Sequence, residues 1–281
     1  MSKINLVDTA FKHIEYSAPG IVSDNIRWNR IPDNPVVDAP TFYTHEQIFG
    51  DLIENGRDKY AWLIESQAII PGIYTRLLTD TETAKKFKYI FTHSSYLLSK
   101  YNHARWIPGG SIWVGGTYGG GEKSIRPKTR LCSMVSSDKK MCRLHELRIA
   151  IVNFLRDQEA EVDFFGSLFG VTRWVPIIDS LRDYMFSIVI ENYVDHNYFT
   201  EKLLNCFATG TIPIYMGAKN IASHFNPEGI LQFQKPGELI DILGEFAKPK
   251  YYEAKMEAIK ENFQLCQKYR LMEDFILGTY L

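Results

Sequence analysis

The sequence predicts an α/β protein whose strands run parallel and are covered on both faces. Three observations carry that expectation. The second half alternates strands and helices. Its strands are continuous apolar runs rather than every-other-residue patterns, the mark of burial on both sides. The composition, 45% hydrophobic and 23% charged, is that of an ordinary globular chain, so 281 residues give one large domain or two of roughly 130 each.

Residues 1–56 give few signals, because Pro32, Pro35 and Pro40 cut them into short extended pieces. Residues 60–64 read as a buried strand closed by Glu65 and Ser66, 73–78 as a short helix, and 89–93 as a second buried strand. A helical stretch follows over 94–101, then a short strand over 106–108. Residues 109–130 differ in character, with seven glycines in GGSIWVGGTYGGG and then a basic, proline-containing run. The spacing of a phosphate-cradling GxxxxGK[ST] loop is missing. The stretch therefore reads as a flexible linker or mobile loop, with the domain boundary inside it: a first domain over 1–125, its linker at about 109–125, and a second over 126–281.

Beyond the boundary, 131–135 is a strand, and Leu144, Leu147, Ile151 and Phe154 give helical periodicity over 143–157. Strands follow at 162–165, closed by Gly166, and at 186–190. A helix over 201–208 meets its stop signal at Gly210, 212–216 is a strand, and 238–246 and 251–269 are helices. In parallel sheets of this kind ligands bind at the carboxyl ends of the strands.

Charge and cysteine usage narrow the classes. A net charge of −1 supplies no global attraction to nucleic acid or anionic membrane. The four cysteines form no CxxC pair and no zinc-spaced cluster with histidine, and the expectation is reduced thiols in a cytoplasmic protein. The first 16 residues carry no apolar leader, and no run of 18 apolar residues occurs. No Asp-x-Asp motif is present to hold a metal on a nucleotide diphosphate, and no metal site is expected.

The stretch FSIVIENYVDHNYFTEK, residues 186–202, concentrates the chemistry. Five apolar residues run directly into Glu191 and Asn192, and Tyr198 precedes Thr200-Glu201-Lys202 at a helix start. Thr200 suits an N-cap and Glu201 the helix dipole. A capped helix with a solvated Glu-Lys pair accounts for that much, but not for the acid and amide at the strand mouth. A nucleotide-sugar site accounts for all of them: helix N–H groups and Lys202 for phosphate, Glu201 for sugar hydroxyls, Tyr198 for a ring.

The run FSIVIENYVDHNYFTEKLLNCFATGTIPIYMG, with SHFNPEGILQF after it, resembles the family 10 glycosyltransferases, the α-1,3-fucosyltransferases, in the manner of their soluble bacterial and phage-type members. The matching elements are Glu191-Asn192, Tyr198, Thr200-Glu201-Lys202, Ile212-Pro213-Ile214 and Gly217. Upstream, Val135-Ser136-Ser137 stands where the family has a Val-Ser-Asn strand end, and two arginines compete for its basic position. Arg143 fits by distance; Arg148 fits relatives with an arginine three residues after a histidine, here His145. Trp62 to Ser66 resembles a family strand ending in Glu-Ser-Pro, with Gln67 in place of proline.

The resemblance implies a GT-B architecture, two Rossmann-like domains facing across a cleft, with the acceptor mainly on the first and the donor on the second. The last helix is expected to pack back on the first domain. It implies metal-independent, inverting transfer of fucose from GDP-fucose, with no permanently bound cofactor. Lys202, either Arg143 or Arg148, and the helix N-terminus at Glu201 would stabilise the leaving diphosphate. Glu191, Asn192, Tyr198, Thr200, Ser136 and His145 would complete the donor site. Glu65 stands where the family places its base, and a carboxylate capping the next turn is the other reading of it. Glu191 is the second candidate base, and His93 is a further candidate for polar contacts. A glycan is the expected acceptor. Two alternatives stand beside this. One is a UDP-sugar transferase acting on a hydroxymethylated DNA base, with Lys123, Arg126, Lys128, Arg130, Lys139, Lys140 and Arg143 as a phosphate strip. The other is a non-catalytic module that binds nucleotide or glycan.

Overall fold

The computed structural model describes residues 1–169 and 175–281. Two all-parallel sheets organise them. The first holds β1 (Ser2–Val7), β2 (Ile26–Ile31), β3 (Thr41–Thr44), β4 (Lys59–Trp62), β5 (Tyr89–Thr92) and β6 (Ala104–Trp106), in the order β2-β1-β3-β4-β5-β6. The second holds β7 (Arg130–Val135), β8 (Asp163–Phe165), β9 (Tyr184–Ile190), β10 (Ile212–Met216) and β11 (Leu231–Gln232), in the order β11-β10-β9-β7-β8. Each sheet reverses direction once, at β1/β3 and at β7/β9. The crevice outside the carboxyl ends at such a reversal is where doubly wound sheets take ligands.

Helices α1 (Pro71–Thr79), α2 (Thr81–Ala84) and α3 (Ser95–Lys100) belong to the first sheet. Helices α4 (Arg143–Asp157), α5 (Glu201–Ala208), α6 (Pro236–Glu245), α7 (Pro249–Ala254) and α8 (Met256–Cys266) follow β7, and α9 (Met272–Tyr280) ends the chain. The two-residue period of the strands sends alternate side chains into separate cores. In β9 and β10, Phe186, Ile188, Ile190, Ile212 and Ile214 meet Ile151, Val152 and Leu155 of α4 and Leu239 of α6. Val189 and Tyr215 meet Leu203, Leu204 and Phe207 of α5 on the other face. The first sheet is likewise covered on both faces, by Ile73, Tyr74 and Leu77 of α1 on one. On the other, Met272 and Ile276 of α9 join Ile4, Leu6, Phe42, Trp62 and Phe91.

Three features depart from expectation. Residues 1–56 contain three strands that the prolines masked. The stretch 109–125 is not a free linker: Ile112 and Val114 are buried in the second domain's core. The backbone N–H groups of Trp113 and Val114 both donate to Asn205 Oδ1, at 2.8 and 3.1 Å. The helix expected over 251–269 breaks between α7 and α8. Before the break, the Tyr252 hydroxyl reaches Gly210 O at 2.8 Å. After it, Asn262 pairs with the backbone of Asn226 through both its amide atoms, at 2.7 and 2.9 Å. The break serves both anchors.

Candidate active site

Strand β9 ends at Ile190, so Glu191 and Asn192 emerge at the carboxyl edge beside the β7/β9 reversal. Glu191 is fully buried. Its two carboxylate oxygens accept from Thr200 N at 2.9 Å and from Thr200 Oγ1 at 2.8 Å. Thr200 caps α5 by accepting from Lys202 N at 3.3 Å. Asn192 Oδ1 accepts from the Tyr198 hydroxyl at 2.7 Å. The strand mouth thus holds the start of α5 in place through a carboxylate and an amide.

Lys202 turns back along this end of α5. Its ammonium lies 2.8 Å from Glu201 Oε1 and 3.7 Å from Glu191 Oε2. Burial alone would push the ammonium down, but these two carboxylates outweigh it and hold Lys202 above its ordinary value. Glu201 is correspondingly held low: burial opposes, and Lys202 wins. Glu191 goes the other way, because burial outweighs the attraction of Lys202.

Gly109 and Gly110 cross directly over this corner. A side chain on Gly109 would meet Tyr198 Cε2 at 2.5 Å, and one on Gly110 would meet the backbone nitrogen of Glu201 at 2.7 Å. The double glycine is therefore a requirement of close approach. Gly109 N donates to Phe199 O at 2.8 Å, fixing that approach.

Arg148, on α4, is 7% exposed, and its Nε has no hydrogen-bond partner among the described residues. Burial lowers its pKa against the opposing pull of Glu191 and Glu201. An orphaned donor on a buried guanidinium is a costly arrangement. His145, one turn earlier on α4, is pushed down to about 4, first by burial and then by Arg148, Lys202 and Lys139. It is a neutral imidazole whose Nδ1 accepts from Met141 N at 3.3 Å.

Across the cleft stands Glu65, three residues past the end of β4. Its side chain is open to the solvent of the cleft, yet the cleft walls crowd it. Burial raises its carboxyl above the ordinary range, with Lys202 pulling the other way and Glu201 adding to the rise. Glu65 of the first sheet and Arg148, Glu201 and Lys202 of the second line one cavity of about 310 Å³. Tyr198, Thr200, Asn192 and His145 share its walls. A second cavity of about 260 Å³ lies beside it between β7, β9 and α5 and is walled mainly by apolar side chains. Trp113, Ser137, Arg148, Glu201 and Lys202 border both.

Most of the residues singled out in the sequence therefore converge, with four qualifications. Arg143 is exposed at the start of α4 and borders neither cavity, whereas Arg148 borders both. Ser136 is buried behind the wall, and its neighbour Ser137 faces the cavities instead. Glu191 lies beneath the floor, acting through Thr200. His93 is fully buried and packs on Tyr198, ring centroids 4.5 Å apart. The basic strip survives only in part: Lys139, Lys140 and Arg143 are exposed, but Lys128 is drawn inside, donating to Leu181 O, Arg182 O, Thr209 O and Thr211 Oγ1. Arg126 pairs with Glu122 at 2.6 Å and Arg130 with Asp163 at 3.1 Å. Trp113, Ile69 and Met141 line the cavity without having been foreseen. The one signal for Trp113 was its place inside a glycine-rich run that has no reason to carry a tryptophan if it is mere tether.

Among the described residues, no helix is long and apolar enough to cross a membrane. Comparison with known proteins gives the family and the fold. Residues 125–274, more than half of the chain, match the family model described as glycosyltransferase family 10 (fucosyltransferase), C-terminal part. An α-(1,3)-fucosyltransferase of Helicobacter pylori is 35% identical over 66 residues, which are 22% of this chain and only 14% of that protein. A crystal structure of an α1,3-fucosyltransferase with GDP-fucose superposes with a TM-score of 0.55 at 16% identity, covering 99% of this chain and 91% of that one. A T4 phage BGT mutant in complex with UDP-glucose superposes at 0.52 and 11% identity, covering both chains fully. At those identities the structures establish the shared two-domain GT-B fold.

Proposed function

The chain belongs to glycosyltransferase family 10, and from that premise we propose that it transfers fucose from GDP-fucose to a glycan hydroxyl, with inversion and without a bound metal. One observation carries the reading. A carboxylate held above its ordinary pKa, Glu65, faces Lys202 and Arg148, whose Nε has no hydrogen-bond partner among the described residues, across a single cavity. The donor relative with GDP-fucose bound supplies the nucleotide and sugar.

In this reading the diphosphate lies against Lys202 and Arg148 at the positive end of α5, and the nucleoside enters the more apolar neighbouring cavity. The acceptor hydroxyl approaches from the first domain. Its oxygen bonds to the anomeric carbon as its proton passes to Glu65. The carbon–oxygen bond to the diphosphate breaks, and GDP leaves with its charge met by the two cations. A base so placed contributes about 10²–10⁴-fold, and preorganised cations act more strongly in a water-poor site than in bulk. Arg148 takes the diphosphate role in preference to Arg143 because it borders the cavity and has a donor to spare. Glu191 serves as the brace of Thr200 rather than as base, since both its oxygens are already engaged. The engagement of Lys128, Arg126 and Arg130 within the chain leaves fewer cations for a DNA backbone and favours a glycan acceptor.

The test is GDP release from GDP-fucose with lactose and N-acetyllactosamine as probe acceptors, in wild type and Glu65→Gln, with and without EDTA. The reading requires acceptor-dependent release that EDTA leaves intact and that Glu65→Gln slows about 10²–10⁴-fold without weakening GDP binding. Full transfer by Glu65→Gln refutes the base assignment, and metal-reversible loss in EDTA refutes the metal-free mechanism.

A further inference from the structure

The backbone of Glu65 is gripped from both sides by buried side chains that neither charge nor spacing would single out. Its N–H donates to His45 Nε2 at 3.4 Å. Its C=O accepts from the Tyr74 hydroxyl at 2.7 Å. Tyr74 is in turn 3.0 Å from His93 Nε2. His45 follows β3, Glu65 follows β4 and His93 follows β5, so three adjacent strand ends and α1 converge on one peptide.

Resting on the reading of Glu65 as base, we propose that Tyr74 and His45 are positioning residues that set the Glu65 carboxylate opposite Lys202, with His93 orienting Tyr74.

The proton directions are consistent. The Tyr74 hydroxyl has one proton and gives it to Glu65 O, so its oxygen accepts from His93 Nε2–H. That leaves His93 Nδ1 without a proton, and it is buried with no partner among the described residues. His93 is pushed down to about 3 by burial and stays neutral. His45 must present a bare Nε2 to the Glu65 N–H, which a neutral imidazole protonated on Nδ1 supplies. Burial lowers its pKa as well, against Glu46 and Asp8. His45 also adopts φ +48°, a left-handed conformation that few non-glycine residues take, histidine being one that takes it more readily than most. Non-glycine backbone of this kind persists where surroundings over-determine it, and it concentrates at functional sites. Tyr74 and His93 have a second consequence: His93 packs on Tyr198 of the donor domain. The chain Glu65–Tyr74–His93–Tyr198–Asn192 therefore links acceptor-side base and donor-side loop through buried contacts.

The experiment is a kinetic cycle with Tyr74→Phe, Glu65→Gln and the double variant, using GDP-fucose and whichever probe disaccharide turns over faster. Tyr74→Phe keeps the ring and removes only the hydroxyl. Transfer is expected to fall about 10–100-fold, the scale of a displacement of about 1 Å at a reacting group, with GDP affinity within about twofold of wild type. In the Glu65→Gln background the same substitution is expected to cost nothing further in turnover, a non-additivity that general destabilisation does not produce. His45→Asn, which tolerates the left-handed backbone but cannot offer the same acceptor, provides a second variant with the same expected pattern. Normal transfer by both Tyr74→Phe and His45→Asn beside a strongly slowed Glu65→Gln overturns this inference alone. Additive losses overturn it too. Retained transfer by Glu65→Gln removes the base, and the inference with it.

Discussion

Replacing Arg148 with methionine separates a structural from a functional role by the sign of its effects. The guanidinium is 7% exposed, its Nε is unpartnered, and it has no ion pair within 4 Å among the described residues. Burial disfavours its charge, although Glu191 and Glu201 offset part of that cost. Lys202 remains to serve both acids when Arg148 is gone. Methionine fills similar volume without a charge, and exchanging buried charge for apolar packing is commonly neutral or favourable. The free protein should therefore melt at the same temperature or slightly higher. A bound diphosphate would lose one charge-assisted contact, worth about 1.5–3 kcal/mol, or about 10- to 150-fold in GDP affinity. Calorimetric titration with GDP, paired with thermal melts of the free protein, reads both quantities. A destabilised free protein with unchanged GDP affinity would show that Arg148 is a core strut and refute its placement at the diphosphate.

Three further outcomes follow from the same geometry. Gly110→Ala should weaken GDP binding and cost about 1–3 kcal/mol in urea denaturation, because its Cβ would stand 2.7 Å from the Glu201 nitrogen; an unchanged midpoint and affinity would contradict the close approach. Glu273→Ala should cost about 2–4 kcal/mol, because Ser17 N and Oγ, 2.7 and 2.6 Å from its carboxylate, would be orphaned as α9 loses its grip on the first domain. Lys139→Met should move the acidic limb of the turnover profile to higher pH. Burial already holds Glu65 above the ordinary carboxylate value, Lys139 is among the charges pulling it back, and the base works only when deprotonated; an unmoved limb would mean that another group controls it. The sign for folding is opposite. A carboxyl raised in the folded state favours the fold while protonated, and that contribution is lost as pH rises through the raised value.

The sequence reveals four of the second sheet's five strands to within two residues and misses the two-residue edge strand β11, and physical causes explain why. Strands β7, β9 and β10 are largely apolar runs, and α5 opens on a capping threonine and ends two residues before Gly210, so each boundary is local. Strands β1 and β2 carry Asn5 and Asn29 in their interiors, which read as loop residues. The fold buries both because Asn29 Nδ2 donates to Asn5 Oδ1 at 2.9 Å and Asn5 Nδ2 donates to Val37 O at 2.9 Å. That pairing spans 24 residues and leaves no periodic trace. The glycines of 109–121 signal flexibility to a reader of sequence, yet here they permit contact between backbones and helix ends. The donor side of the site is legible because its residues are neighbours in the chain. The supports of Glu65 are not: His45 precedes it by 20 residues and Tyr74 follows by nine, and only folding brings β3, β4 and α1 together.

The most direct test of the central claim is a thermal titration of the intact chain with GDP-fucose, GDP and UDP-glucose, each with EDTA present. A ligand at about 100 times its dissociation constant stabilises the fold by about 2.7 kcal/mol, roughly 5–10 °C for a chain of this size. The account predicts that GDP and GDP-fucose raise the melting temperature in EDTA and that UDP-glucose does not. A shift with UDP-glucose alone would contradict the assignment of the donor.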